Sequence, residues 1–229
     1  MKVLVACEES QAVCKSFRQK GHEAYSCDIQ YCSGGNPEWH IKCDVLKVLN
    51  PFINGIEFHT CDNKYHRVIK WDLIIAHPPY TYLTVAGNRW FNVERYGEKA
   101  LNRIADRAEA AEFFMQIWHA YCEKVIIENP IGYMNTYFRK PDQIIHPYYF
   151  AESEDDENCE RKATCLWMRG VEPLKYEVKY IPRVVYSKNG KGSNPYWLIN
   201  TLHLPSYERT KLRSKTYPGI AKAMSEQWG

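Results

Sequence analysis

The sequence predicts an α/β fold built on a doubly wound, mostly parallel sheet, and three observations carry that expectation. First, residues 1–28 run as apolar stretch, amphipathic stretch, apolar stretch: a strand–helix–strand unit that implies a right-handed parallel crossover. Second, Leu73 to Ala76 and Val125 to Ile127 are continuously apolar, as strands buried on both faces must be. Third, each of those runs ends in a polar residue followed by proline, as His77-Pro78-Pro79 and Glu128-Asn129-Pro130. Proline cannot donate to a sheet ladder, so each strand stops there. The polar groups are thereby delivered to the carboxyl edge, where open α/β sheets bind their ligands.

Val3 to Cys7 is the first strand-like run. From Ser10 to Lys20, Val13, Cys14 and Phe17 recur at helical spacing, with Ser10 the expected N-cap and Gly21 the stop. Ala24 to Cys27 is the second strand, stopped by Asp28. The turn between the first strand and the helix reads Cys7-Glu8-Glu9-Ser10, where a dinucleotide-binding fold carries glycines. Two carboxylates there repel a pyrophosphate and tolerate a cofactor that is positively charged and phosphate-free, such as S-adenosylmethionine. Asp28 stands where nucleotide-binding folds place an acid that accepts both ribose hydroxyls. A strand-end turn uses the same residue type. Cys7 and Glu8 belong to this cofactor edge.

Cys32 to Pro37 is loop-like, and Trp39 to Cys43 reads as a third strand ending in Asp44, an acid suited to an adenine amino group. Ile56 to Thr60 and His66 to Trp71 read as a hairpin about residues 61–64. His59, Cys61 and His66 lie close together but lack a second pair at zinc spacing, so no metal is expected.

Residues 72–82 are the centre of the chain. Pro78 and Pro79 leave mainly carbonyl acceptors, while Tyr80 and Tyr82 offer flat faces on which a base can stack. The elbow suits a planar substrate with an exocyclic amine; a proline-rich turn with two packing tyrosines is the plainer reading. Val85 to Asn92 is a polar–aromatic loop, a lid or wedge, although Trp90 and Phe91 are more typical of a core. Glu98 to Cys122 is the longest helical pattern, with Ala108, Ala111, Phe114, Met115 and Trp118 as its apolar stripe. Glu128 at the next strand edge is placed to meet a cytosine ring nitrogen or amine. Residues 151–160 are an acidic boundary loop, Lys162 to Met168 is one more strand, and residues 171–210 lack clear periodicity. Arg213 to Met224 reads as a basic turn entering a helix, suited to an anion such as a DNA phosphate or simply solvated.

Composition bounds these readings. With 229 residues, 45% hydrophobic and 25% charged, the chain is expected to be globular, and no apolar run approaches the roughly 20 residues of a membrane span. The amino terminus turns acidic too soon for a signal peptide, and nine scattered cysteines fit a reduced cytoplasm. The net charge of +3 is uneven: residues 161–229 carry 13 Lys and Arg against four acids, which is what phosphate contact needs.

Taken in order, Cys7-Glu8-Glu9-Ser10, Cys27-Asp28, Asp44, His77-Pro78-Pro79-Tyr80, Glu128-Asn129-Pro130, Arg161-Lys162-Ala163-Thr164 and the Arg213-to-Ala221 turn resemble the cytosine carbon-5 DNA methyltransferases. The resemblance is strongest to their short phage and prophage members. It implies the Rossmann-like fold of S-adenosylmethionine-dependent methyltransferases. Residues 1–150 would be the cofactor-binding catalytic core, and 151–229 a basic region that completes the sheet and contacts DNA. It implies Arg161, Lys162, Arg213 and Lys215 on phosphate. The chain departs from the family in two places: the first turn lacks the family's glycines, and Tyr80 stands where the family has cysteine. Carbon-5 transfer needs a thiolate to add to carbon 6, and a phenol of pKa about 10 is mostly protonated at neutral pH. With tyrosine there, the elbow resembles the Asp/Asn/Ser-Pro-Pro-Tyr motif of amino methyltransferases. In that motif the first residue and a proline carbonyl hold the exocyclic amine and the ring stacks on the flipped base. A neutral His77 accepts one amine hydrogen through a ring nitrogen. The expectation is therefore methyl transfer to a DNA base, cytosine before adenine, by His77, Pro78, Pro79, Tyr80 and Glu128. The alternatives are a carbon-5 scaffold without its nucleophile that only binds nucleic acid or a partner, and an enzyme of free nucleotides or small molecules. Lacking a large recognition domain, the chain is expected to read a short site or to share recognition across a dimer, in the cytoplasm of a bacterial host if it is phage-derived.

Overall fold

A computed structural model of the chain describes residues 1–186 and 193–229. The amino-terminal half contains β1 (Lys2–Ala6), α1 (Ala12–Gln19), β2 (Glu23–Asp28), β3 (His40–Lys42), α2 (Leu46–Leu49), β4 (Ile56–His59), β5 (Tyr65–Val68) and β6 (Leu73–Ala76). Then follow α3 (Val93–Tyr96), α4 (Glu98–Trp118), β7 (Lys124–Pro130), α5 (Met134–Tyr137), β8 (Gln143–Ile145) and β9 (Thr164–Arg169). The chain closes with β10 (Val184–Tyr186), β11 (Ser193–Pro195), α6 (Tyr196–Asn200), α7 (Ser206–Ser214) and α8 (Pro218–Trp228).

Seven strands form one sheet in the order β3-β2-β1-β6-β7-β9-β8. Neighbours from β3 to β7 pair in parallel, while β9 pairs antiparallel with both β7 and β8, so β9 alone of the seven runs against the others. The sheet is mostly parallel and flanked by helices, an architecture compatible with a Rossmann-like fold. Because β1 lies between β2 and β6, the strand order runs outward from it in both directions and reverses between β1 and β6, and the crevice of an open α/β sheet opens at such a point. The sheet crosses residue 150, so the two stretches expected as core and extension share one layer of strands.

Both faces of the sheet are covered, which explains the unbroken apolar runs. Along β1, Leu4 and Ala6 face a core shared with Phe58, Trp71, Phe114 and Trp167. Val3 and Val5 face the other side, with Val13 and Phe17 of α1 and Ile220 and Met224 of α8. Phe114 and Trp167, both fully buried, meet edge to face at 5.3 Å. The carboxyl-terminal helix α8 lies against α1, where Ser16 and Ser225 share a 2.8 Å hydroxyl hydrogen bond.

Several boundaries move from their sequence expectation. Helix α1 begins at Ala12, because Gln11 takes a left-handed φ of 61°, and Ser10 does not cap it. On α4, Ala108 is exposed, and Ala100 and Ile117 are buried with Ala111 and Phe114; the helix stops at Trp118. Residues 85–91 form a 3₁₀ segment on which Trp90 is 42% exposed. The stretch 171–210 holds β10, β11 and two short helices, with 187–192 outside the described residues. Among the described residues no helix is long and apolar enough to cross a membrane. Nor do three His, Cys, Asp or Glu side chains gather there as a metal site; His66 hydrogen-bonds Tyr25 and Thr60 instead.

Candidate active site

The register of β6 on β7 sets Ala76 opposite Ile127. The next residues of the two strands, His77 and Glu128, therefore reach the carboxyl edge side by side, and His77 Nδ1 lies 2.8 Å from a Glu128 carboxylate oxygen. Glu128 was expected to read a base edge; its first commitment is to this imidazole. Thr216, ahead of α8, approaches the same carboxylate oxygen at 3.5 Å. The other ring nitrogen, His77 Nε2, is buried and has no hydrogen-bond partner among the described residues. Burial works against a charged imidazole, but Glu128, and behind it Glu8, outweigh it and hold His77 above its ordinary value. Burial likewise opposes a charged Glu128, yet His77 and then Lys162 and Thr216 hold its carboxyl below the usual range. The two shifts agree on an ion pair.

The elbow beyond His77 is braced from two sides. Asn129, one residue past Glu128, donates to the Pro78 carbonyl at 3.1 Å. From α4, Arg103 donates to the Thr81 carbonyl, and Arg107 to the Tyr82 carbonyl at 3.0 Å and to Asn88 Oδ1 at 2.9 Å. The turn that follows is closed by Leu83 and Thr84, whose N–H groups both donate to the Tyr80 carbonyl. Pro78 is buried and Pro79 exposed. Tyr80 is half-buried, and burial followed by the nearby Glu128 carboxylate raises its phenol, so it is a still poorer nucleophile than a free tyrosine.

Cys7, Asp28 and Asp44 come together at the carboxyl ends of β1, β2 and β3. Burial, then the Asp28 and Asp44 carboxylates, push the Cys7 thiol up to about 12. One oxygen of Asp28 accepts the Gln30 N–H at 2.9 Å and one oxygen of the exposed Asp44 accepts the Leu46 N–H at 3.0 Å. In each acid the other oxygen accepts no hydrogen bond among the described residues. The loop after β2 is set by a buried polar chain. Gln11 donates to the Asn36 carbonyl at 2.8 Å and to Ser26, whose hydroxyl lies 2.8 Å from His40 Nδ1.

Glu8 is the exception on this edge. Its carboxylate turns inward, is 4% exposed, and accepts the N–H groups of Val13 at 2.6 Å and Cys14 at 3.2 Å. It caps α1 in place of Ser10, and it fills the helix terminus at which a dinucleotide fold seats pyrophosphate. Its expected contact with a cofactor is thereby corrected to a helix cap.

Three of the four cations expected on phosphate are occupied inside the chain. Arg161 donates to the Ser193 carbonyl at 3.1 Å, and Lys162 to the Arg213 carbonyl at 2.9 Å. Arg213 donates to Thr201 Oγ1 and the Leu198 carbonyl, both at 2.8 Å, with its guanidinium over the Trp197 ring. Only Lys215 of the four is exposed. Lys162 instead faces Glu128, and its burial lowers it from the usual lysine value.

Sequence reasoning missed Thr216, Asn129 and the inward turn of Lys162. Asn129 alone left a trace, since a polar residue precedes proline at the end of both central strands. Two surface hollows, of about 370 and 340 Å³, lie outside both clusters, one beside Leu49 and Gln116, the other beside Arg18 and Trp39. No family model matches the chain, and no curated protein matches it.

Proposed function

We propose that the protein transfers a methyl group from S-adenosylmethionine to a base in DNA, cytosine before adenine, at the exocyclic amine. One observation carries the reading: the His77–Glu128 pair and Tyr80 stand at the carboxyl ends of β6 and β7, next to the Cys7–Asp28–Asp44 edge and across the sheet's switch point. Two sites, one acidic and one aromatic, thus adjoin where α/β sheets take ligands.

The acidic edge fits this cofactor. Glu8 occupies the helix terminus, so a phosphate is unwelcome, while Asp28 and Asp44 each keep a carboxylate oxygen for a ribose hydroxyl and an adenine amine. When bound, S-adenosylmethionine supplies an electrophilic methyl group. The chain's own residues supply position. Tyr80 offers a stacking face, the Pro78 carbonyl retains a lone pair beyond the Asn129 bond, and the two arginines of α4 keep the elbow stiff. The inward turn of Arg161, Lys162 and Arg213 leaves DNA contact to other surface cations, Lys215 first among the four.

The second reading, a carbon-5 scaffold that binds without transferring, is favoured by one observation: the raised Tyr80 phenol offers no replacement for a thiolate. Incubation with labelled cofactor and mixed DNA, followed by digestion to nucleosides, separates the two. Methylated amine nucleosides support transfer; cofactor binding without product supports the second reading; no cofactor binding refutes both. A Tyr80→Cys variant that yields 5-methylcytosine would assign the scaffold to carbon 5.

A further inference from the structure

We infer that His77 meets its ligand only through Nε2, and there as a hydrogen-bond donor. The site then selects a planar base that presents a ring acceptor beside an exocyclic amine. The inference deepens the reading of a base-binding elbow and rests on it. It also reverses the polarity expected of His77 from its place in the elbow, which is to accept an amine hydrogen.

The geometry leaves little choice of atom. Nδ1 is committed to Glu128 at 2.8 Å, so it cannot turn to a ligand without abandoning a buried carboxylate. Nε2 is buried and unpartnered among the described residues, a position that costs free energy until a ligand completes it. The groups that face the ring are Glu128 from β7, Glu8 from the turn after β1, and Lys162 from the approach to β9. Two carboxylates against one ammonium favour the imidazolium, and the raised His77 value agrees. An imidazolium has no lone pair, so both its nitrogens donate. A donor at Nε2, followed in the chain by the Pro78 carbonyl acceptor, matches the amidine edge of cytosine or adenine, where a ring nitrogen adjoins an amine. Thymine presents N–H and carbonyl instead and is rejected at the ring nitrogen.

The charge state has a consequence for chemistry. A donor on the ring nitrogen withdraws electrons from the neighbouring amine and makes it a weaker nucleophile. Binding is therefore strongest with His77 charged, and transfer to the amine rises as pH passes through the His77 value and the proton leaves. Glu128 is a positioning residue in this scheme, since it acts through the imidazole.

The test has two parts, and the first requires no activity. Nitrogen-15 spectra of the histidine rings in the full chain, assigned with His77→Asn, give the state of His77. The expected result is an imidazolium at neutral pH, replaced in Glu128→Gln by the neutral ring protonated on Nδ1. A neutral ring in the wild type below pH 7 overturns the inference. The second part measures binding of a short single-stranded DNA with one cytosine against the same strand with 3-deazacytosine, which lacks the ring acceptor. A loss of about tenfold or more, as for one charge-assisted hydrogen bond, is expected in the wild type and is absent in Glu128→Gln. Equal binding of the two strands, with His77 charged, overturns the donor role. If the cytosine strand binds no better than one of thymines alone, the base-binding reading itself has failed, whatever the spectra show.

Discussion

Glu8 gives the sharpest quantitative test of the structure. Replacing it with alanine removes both acceptors of the α1 cap and leaves the Val13 and Cys14 N–H groups buried without partners. A hydrogen bond to a charged acceptor contributes about 1.5–3 kcal/mol, and a lost helix cap costs about 1 kcal/mol. Relief of the buried charge offsets part of this, so Glu8→Ala should destabilise by about 3 kcal/mol. For a chain of this size that is a fall in melting temperature of about 6–12 °C. Glu8→Gln keeps one oxygen on the cap and should cost less than half as much. Both variants also differ from the wild type in pH dependence. Burial raises Glu8 above its unfolded value, despite His77 and the two N–H donors. A carboxyl raised in the fold stabilises fully below its unfolded value, near pH 4, and that contribution is lost as pH climbs through the folded value. Neither variant carries that loss, so the deficit of each against the wild type should narrow from about pH 4 upward by the same amount, with alanine the less stable of the two throughout. Urea unfolding followed by circular dichroism across that range measures both. A melting temperature for Glu8→Ala within about 2 °C of the wild type would show that the carboxylate does not carry the cap.

Other predictions concern the thiols, the core and the elbow. Cys43 is lowered by a hydrogen bond from Cys27, whose sulfur lies 3.9 Å away, whereas burial raises Cys7 and Cys14; iodoacetamide at neutral pH should label Cys43 well before either, as peptide mass mapping would show. Phe114→Ala empties the edge-to-face contact with Trp167 and should cost about 3–5 kcal/mol in urea unfolding. Gly132 has its backbone against the Leu83 carbonyl, so a β-carbon there would collide with main chain. Gly132→Ala should therefore shift the elbow and weaken base binding more than it lowers the melting temperature.

What could be read in advance, and what could not, follows from the range of each interaction. The strand ends at His77 and Glu128 are written locally: four apolar residues, a polar one, then proline, and parallel pairing of two such strings puts their ends together. The same holds for the hairpin of β4 and β5, whose alternation is visible in sequence. The reversed direction of β9 is not written in its own six residues, because a strand buried on both faces looks alike in either sense. The α1 N-cap position falls one residue later than expected because Ser10 is a good N-cap by type, while the true start depends on Gln11 adopting a left-handed φ held by its bonds to Ser26 and Asn36. The cations were misread for a deeper reason. Lys162 and Arg213 stand 51 positions apart, and nothing near either says that one donates to the other's carbonyl. A basic count records charge but not direction, and here the charge nearest the elbow turns inward. That inward turn sets Lys162 against Glu128, and the carboxylate it helps to hold ionised is the one that keeps the proton on His77. The lysine that composition would assign to DNA thus acts on the His77 imidazole twice over, lowering it directly and supporting its proton by keeping Glu128 ionised. Lys162→Met should accordingly move the His77 titration while leaving the salt dependence of DNA binding unchanged; a shallower salt slope with an unmoved histidine would return Lys162 to the phosphate backbone.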